Sequence, residues 1–293
     1  MRYILLLCFP LLLLASDIKL QILGSGGPEL DDRASASYAI WVDGKARVLI
    51  DFGGGAFLRL GQSKAKLDDI DYILLTHFHI DHVADFAALA KASYFSYKHK
   101  TIKVFGPSSS RHFPDTKEFL QGQFDNSDVY SYMSEVLDTD SKYLSFKPYV
   151  FSHDRDDKIK HFKDKKIAID LIAVKHANVP ALAYKVTIDG KSIVFSGDTS
   201  ATTDNLIRLA KNADVFVAHH AISQQANSEA KTLHMTPTRI GEIAQQAHVK
   251  KVILSHRMKR TFGKEKSSLA YIRSSYKGKV IWAEDLLMIP LIK

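Results

Sequence analysis

Short apolar segments, closed off by glycine or Asp-Gly turns, recur along the chain. Residues 18–23 predict a strand that runs into the glycine turn Gly24-Ser25-Gly26-Gly27-Pro28. Residues 38–42 and 47–50 flank Asp43-Gly44, the pattern of a two-residue β-hairpin. Asp51 then opens a second glycine loop, Gly53-Gly54-Gly55. Ile73-Leu74-Leu75-Thr76 predicts a short buried strand that delivers His77, and Val83, Phe86, Ala90 and Tyr94 follow at helical spacing.

Residues 108–147 are polar and weakly periodic. They are expected to roof a pocket, with Phe113, Tyr130, Tyr132 and Tyr143 as candidate lining and local packing as the plainer role for these rings. Strand patterns return at 168–174, 183–188 and 192–195, the last two joined by another Asp-Gly turn. Residues 204–211 read as a helix and 215–218 as a strand. Thr236-Pro237 supplies an N-cap and a proline at the first helical position, ahead of an apolar face of Ile240, Ile243, Ala244 and Ala247. Val252-Ile253-Leu254 predicts the strand that delivers His256. Strands in both halves with helices between them predict one α/β domain, two packed sheets with helices outside.

The N-terminus adds a separate expectation. Met1-Arg2-Tyr3 is short and basic, residues 4–15 are almost wholly apolar, and Ala15-Ser16 precedes Asp17. This pattern predicts a secretory signal over residues 1–16 ahead of a domain at 17–293, and so a periplasmic or secreted protein. The apolar run is too short for a stable membrane span, so none is expected in the mature form. The chain's one cysteine, Cys8, would leave with the signal. A mature protein without cysteine excludes disulfides, a thiol nucleophile and thiolate metal ligands, so any metal must be held by histidine and carboxylate.

The 293 residues, 46% hydrophobic and 25% charged, exclude a disordered chain. A net charge of +8 favours anionic partners, whether nucleic acid, lipid headgroups or small phosphate or sulfate esters. The basic clusters Lys98-His99-Lys100, Lys163-Asp164-Lys165-Lys166 and Lys250-Lys251 are scattered, which reads as a solvated surface more than a nucleic-acid stripe.

The sharpest chemistry is Thr76-His77-Phe78-His79-Ile80-Asp81-His82. Alternate positions at a strand end face one way, so His77 and His79 can grip one cation while Asp81 and His82 face a second. Borderline-soft Zn²⁺ accepts such a nitrogen-and-oxygen set, and two ions need further ligands. His176, Asp198 (in Ser196-Gly197-Asp198-Thr199) and His256 each follow an apolar strand and can supply them.

These motifs, in this order, resemble those of the metallo-β-lactamase superfamily over nearly the whole mature chain. The resemblance implies an αββα sandwich and two zinc ions per chain, with Mn²⁺ or Fe²⁺ as substitutes. One ion would be held by His77, His79 and His176, the other by Asp81, His82 and His256, with Asp198 bridging. Asp51 resembles the family's ligand-orienting carboxylate.

His234-Met235-Thr236 and the glycine loops are similar to ribonuclease Z and its arylsulfatase relatives. In that branch the histidine serves as a proton donor or anion-stabilising contact to the leaving group. The expected function is hydrolysis of a small anionic ester, a phosphodiester or sulfate ester, by a metal-bridging hydroxide, with Asp81 or Asp198 accepting a proton and His234 assisting the leaving oxygen. The alternatives are a ribonuclease Z-like nuclease or phosphodiesterase on nucleic acid, a lactonase or β-lactamase, and a non-catalytic protein braced by metal. A short hairpin between His176 and Asp198 leaves no room for the tRNA-clamping arm of ribonuclease Z, which, with export, argues against tRNA processing. The pair His219-His220 stands where that branch tends to place an acidic residue. Either histidine is a candidate for the pocket wall, with a plain strand-end pair as the equal alternative, and a homodimer is compatible with the sequence.

Overall fold

A period-two pattern places side chains on both faces of each strand, and the fold buries both. The computed structural model describes residues 16–96, 98–153 and 158–291; residues 1–15 of the expected signal lie outside them. In chain order the first sheet contains β1 (Ile18–Gly24), β2 (Ser37–Val42), β3 (Lys45–Phe52), β4 (Tyr72–Leu74), β5 (Thr101–Pro107) and β6 (Ser145–Phe151). The second contains β7 (Lys160–Asp164), β8 (Ile167–Ala173), β9 (Leu182–Ile188), β10 (Lys191–Phe195), β11 (Val215–His219), β12 (Lys251–Ser255) and β13 (Lys279–Trp282). The last strand, β14 (Met288–Pro290), returns to pair with β1.

Each sheet is half antiparallel and half parallel. The first runs β14-β1-β2-β3-β4-β5-β6, parallel from β3 to β6. The second runs β13-β12-β11-β10-β9-β8-β7, parallel from β10 to β13. In the antiparallel halves, two-residue turns join β2 to β3, β7 to β8 and β9 to β10. At Asp43-Gly44 and Asp189-Gly190 both turn residues have positive φ, the geometry that two-residue hairpins demand and Asp-Gly supplies.

Alternate residues along the strands meet between the sheets: Leu20, Ile22, Tyr38, Ile40, Val48 and Ile50 from one, Leu171, Tyr184, Val186, Phe195 and Val217 from the other. The opposite faces carry the helices. Behind the first sheet lie α1 (Ala56–Gln62), α2 (Ile80–Val83), α3 (Phe86–Ala92) and α4 (Thr116–Phe124), whose Leu60, Val83, Phe86, Ala90, Leu120 and Phe124 pack on Leu49, Ile73 and Val104. The second sheet is flanked by α5 (Asn205–Ala210), α6 (Ser228–Leu233), α7 (Pro237–Gln246) and α8 (Glu265–Ser275); Leu206, Ile240, Ile243 and Ile272 cover Phe216, Val252 and Leu254. This is the expected αββα sandwich. Among the described residues no helix is long and apolar enough to cross a membrane.

Two expectations are corrected. The single helix read through Val83, Phe86, Ala90 and Tyr94 is broken into α2, α3 and a 3-10 turn at Ser93–Phe95, although all four residues still pack on the first sheet. The 108–147 segment is mostly a layer on the sheet's outer face: Leu120, Phe124, Met133 and Val136 are buried there. Tyr143 stacks on Tyr94 at 4.3 Å and Tyr130 tilts against Phe124, so these rings serve local packing, and Tyr132 lies exposed under Lys91. Phe113 alone of the four stands beside a candidate ligand, 5.7 Å from the His79 ring.

Candidate metal centre

Parallel strands present their carboxyl ends together, and in open α/β sheets that is where ligands bind. Here β3 ends just past Asp51, β4 leads into Thr76 and His77, β10 into Asp198, β11 into His219 and β12 into His256. Glycines allow the loops to meet. A Cβ on Gly53 would lie 2.0 Å from the Asp81 carbonyl, and one on Gly197, at φ +56°, would strike Thr76. Asp51 and His256 adopt left-handed backbone at φ 50° and 53°, a conformation that costs energy in non-glycine residues and concentrates at functional sites.

The loops bring all seven predicted ligands into one cluster, buried except for the partly exposed His79. Ligand atoms of His77, His79, His176 and Asp198 all lie within 4.8 Å of one another. A second group, sharing Asp198, joins His82, His219 and His256 within the same span. Asp81 stands beside that group, its Oδ2 3.1 Å from His256 Nε2 and 3.6 Å from His82 Nε2. Asp198 Oδ2 lies 3.8 Å from both His82 Nε2 and His176 Nε2, between the two groups.

This crowd fits divalent cations. His77 Nε2, His82 Nε2 and His234 Nδ1 are buried without a hydrogen-bond partner, and His176 Nε2 faces His79 Nδ1 at 3.3 Å. Buried polar atoms rarely go unsatisfied, and inward-facing imidazoles around a carboxylate are satisfied by metal.

Surrounding groups hold the ring orientations. Asp51 is fully buried: it accepts from the Thr76 backbone N–H at 2.7 Å and the Thr76 hydroxyl at 2.8 Å, and lies 2.7 Å from His82 Nδ1. It therefore turns His82 Nε2 inward, as its expected orienting role requires. The Leu233 carbonyl lies 2.8 Å from His176 Nδ1 and does the same for that ring.

A match to the family model described as the beta-lactamase superfamily domain spans residues 46–257, which carry all of these groups. The chain belongs to the metallo-β-lactamase superfamily. It is a metal-dependent hydrolase of that superfamily. It is 23% identical to ribonuclease Z of Archaeoglobus fulgidus, over 92% of this chain and 96% of that protein. Ribonuclease Z of Clostridium novyi is 21% identical over 92% and 98%. Among solved structures, the metallo-β-lactamase fold protein YhfI of Bacillus subtilis superposes with a TM-score of 0.73 at 18% identity, over 94% of this chain and 99% of that one. The short form of human tRNase Z gives 0.71 at 19%, over 94% and 100%.

Electrostatics in this metallo-β-lactamase centre follow from burial. Burial opposes charge on His82, but Asp51, Asp81 and Asp198 overcome it and hold the ring up at about 9. Burial would raise Asp81, yet His82 and His256 bring it down to about 2. Asp198 is likewise held well below the carboxylate range, against its burial, by His256, His234 and His219. His77 is driven well below its ordinary value by burial and neighbouring imidazoles.

Two further histidines complete the cluster. His234, which ends α6, is 7% exposed and points Nδ1 at Asp198 Oδ2 from 3.7 Å. The structure thus brings it to the centre from a distant part of the chain. His219, a candidate for either pocket wall or strand-end pair, enters the site: Nδ1 lies 2.8 Å from Asp198 Oδ1, and Nε2 lies 2.9 Å from the Tyr38 hydroxyl, which also reaches Ser255 Oγ. With both nitrogens engaged, His219 orients Asp198 more readily than it ligates. Its neighbour His220 faces the other way, against the edge of Trp282. Strand alternation at the end of β11 is the sequence signal for this division.

Proposed function

We propose that this hydrolase is a dinuclear zinc phosphodiesterase of ribonuclease Z type, cleaving phosphodiester bonds in nucleic acid. The observation that carries the reading is His234 set against Asp198 in the seven-ligand cluster, on a chain similar along almost its full length to proteins named ribonuclease Z. Of the alternatives open on the sequence, this one has more support than a small-ester enzyme, and a sulfate ester gains none.

His77, His79 and His176 would hold one ion and Asp81, His82 and His256 the other, with Asp198 shared. A metal pair bound there supplies a water of lowered pKa and neutralises charge on the phosphate oxygens. Asp51 and His219 fix the rings and carboxylate around it. Asp81 and Asp198 are held ionised at neutral pH, which suits both to bind cations and to accept a hydrogen bond from that water. Burial, with help from His256, His176 and Arg260, takes His234 down to about 3 despite Asp198. It is therefore a neutral imidazole, suited to giving the departing oxygen an N–H hydrogen bond rather than arriving as an imidazolium.

A small phosphodiester is the second reading. The hairpin of β9 and β10 between His176 and Asp198 turns directly at Asp189-Gly190, with no arm to clamp a polymer. Export through the 1–16 signal belongs to the proposal as well, supported by the apolar run before Ser16, and places the nucleic acid outside the cytoplasm.

The test is a zinc-loaded activity panel: single-stranded RNA, a bis-aryl phosphodiester, an aryl sulfate, a lactone and a cephalosporin. The expected result is cleavage of both phosphodiesters, with RNA cut internally. Turnover of the lactone or cephalosporin with both phosphodiesters intact overturns the reading.

A further inference from the structure

We propose that the opposite end of the sandwich carries a second anion site, for a phosphorylated organic molecule of about mononucleotide size. A cleft of about 480 Å³ opens there, lined by Val42, Tyr72, Ile167 and Ile188 and by five cations, Lys45, Arg47, Lys103, Lys165 and Lys166. That volume suits a small-molecule ligand. It is remote from the metal centre, because β3 begins at Lys45 and Arg47 and carries Asp51 near its far end. At about 3.3 Å per residue, the separation along that strand is roughly 13–20 Å.

The carboxylates in the lining are already engaged. Asp71 accepts from Arg47 Nε at 2.6 Å and lies 2.6 Å from Lys100 Nζ. Asp164 accepts from Lys103 Nζ at 2.7 Å and from the Tyr72 hydroxyl at 2.9 Å. Asp43 accepts from the Asp17 backbone N–H. Of the five cations Arg47, Lys103 and Lys166 are paired, the last with Asp189 at 3.5 Å, which leaves Lys45 and Lys165 over. Lys45 and Lys165 are exposed, and among the described residues neither has a carboxylate within ion-pair distance.

Folding has thus gathered part of the basic sequence that looked scattered: Lys165 and Lys166, from the turn between β7 and β8, meet Lys45 and Arg47 from the start of β3. The apolar floor selects for more than a bare ion. Val42, Ile167 and Ile188 offer contact to an uncharged body, while the lysines above them pair with a phosphate. A free mononucleotide and the end of a nucleic acid strand share this chemistry.

The site is tested on the metal-loaded protein by calorimetry and backbone hydrogen exchange. Probes are adenosine 5′-monophosphate, inorganic phosphate and a short single-stranded oligonucleotide with hydrolysis-resistant linkages and a 5′-phosphate, with the parent beside Lys45→Glu/Lys165→Glu and the milder Lys45→Gln/Lys165→Gln. Adenosine monophosphate should slow exchange in the turns at 43–45 and 164–167. The charge-reversed pair should lose that protection and bind at least about tenfold more weakly, with the glutamine pair in between. Hydrolysis of a bis-aryl phosphodiester should stay within about twofold of the parent, since neither lysine touches the metal centre. Protection by the oligonucleotide alone identifies the source as a strand end. Protection confined to the segments around His77 and His256, equal binding by parent and charge-reversed pair, or inorganic phosphate binding as tightly as the mononucleotide overturns the proposal.

Discussion

The two ends of the same strands treat charge in opposite ways. Where the parallel strands finish, His77, His82, Asp198 and His256 are buried, and several ring nitrogens face one another without a partner. Where β3 and β4 begin, Arg47, Asp71, Lys100, Lys103 and Asp164 are partly exposed and paired. A buried, unsatisfied polar cluster is costly unless something from outside completes it, whereas a solvated ion-pair network is satisfied and contributes little. The first arrangement is built to receive cations; the second is a stable surface with positive charge to spare.

Substitutions at the two ends should therefore differ by orders of magnitude in effect. Asp198→Ala removes the carboxylate between the two ligand groups, and phosphodiester hydrolysis should fall on the order of 10⁴-fold in steady-state assays. His234→Ala, at the rim of the same cluster, should lower kcat on RNA by about 10²-fold. The loss should be smaller on a bis-aryl diester, whose better leaving group needs less help. Equal activity of His234→Ala and parent on RNA removes the leaving-group role.

The buried imidazoles also predict how the metal-free protein responds to pH. Burial depresses His219 and His220 to about 4 and His234 to about 3. Below an unfolded value near 6.5, the unfolded chain binds protons that the folded chain refuses, so stability falls as pH drops from about 6.5 toward 4. The slope approaches about 1.4 kcal/mol per pH unit for each such group. His82, held up at about 9, acts in the other sense: its contribution is complete below about 6.5 and is lost as pH rises through 9. Urea midpoints of the stripped protein should peak near pH ~6.5, with the acid side steeper. At the strand-start end, Asp71→Asn should cost no more than about 1 kcal/mol in urea denaturation and leave hydrolysis unchanged.

The same contrast explains what is legible in the sequence. Ligand motifs are strand-end residues after short apolar runs, so His77, Asp198 and His256 can be placed without coordinates, and the Asp-Gly hairpins carry their own geometry. β5, β6 and β13 hold lysines in their runs (Lys103, Lys147, Lys279) that blur the apolar pattern, and only pairing with neighbours defines them. Sequence alone leaves His219 undecided because its role depends on Tyr38, 181 residues away. The basic cleft is invisible for the same reason: Lys45 and Lys165 meet only once the two sheets are stacked.

If the histidine and aspartate cluster exists to hold two divalent cations, the purified protein should carry them. Elemental analysis of the parent, with Asp198→Ala beside it, tests that directly. About two equivalents of zinc, or of manganese or iron in its place, are expected per parent chain, with a loss of bound metal in the variant. A folded parent protein carrying none of these metals, and taking up none on dialysis against zinc, would contradict it.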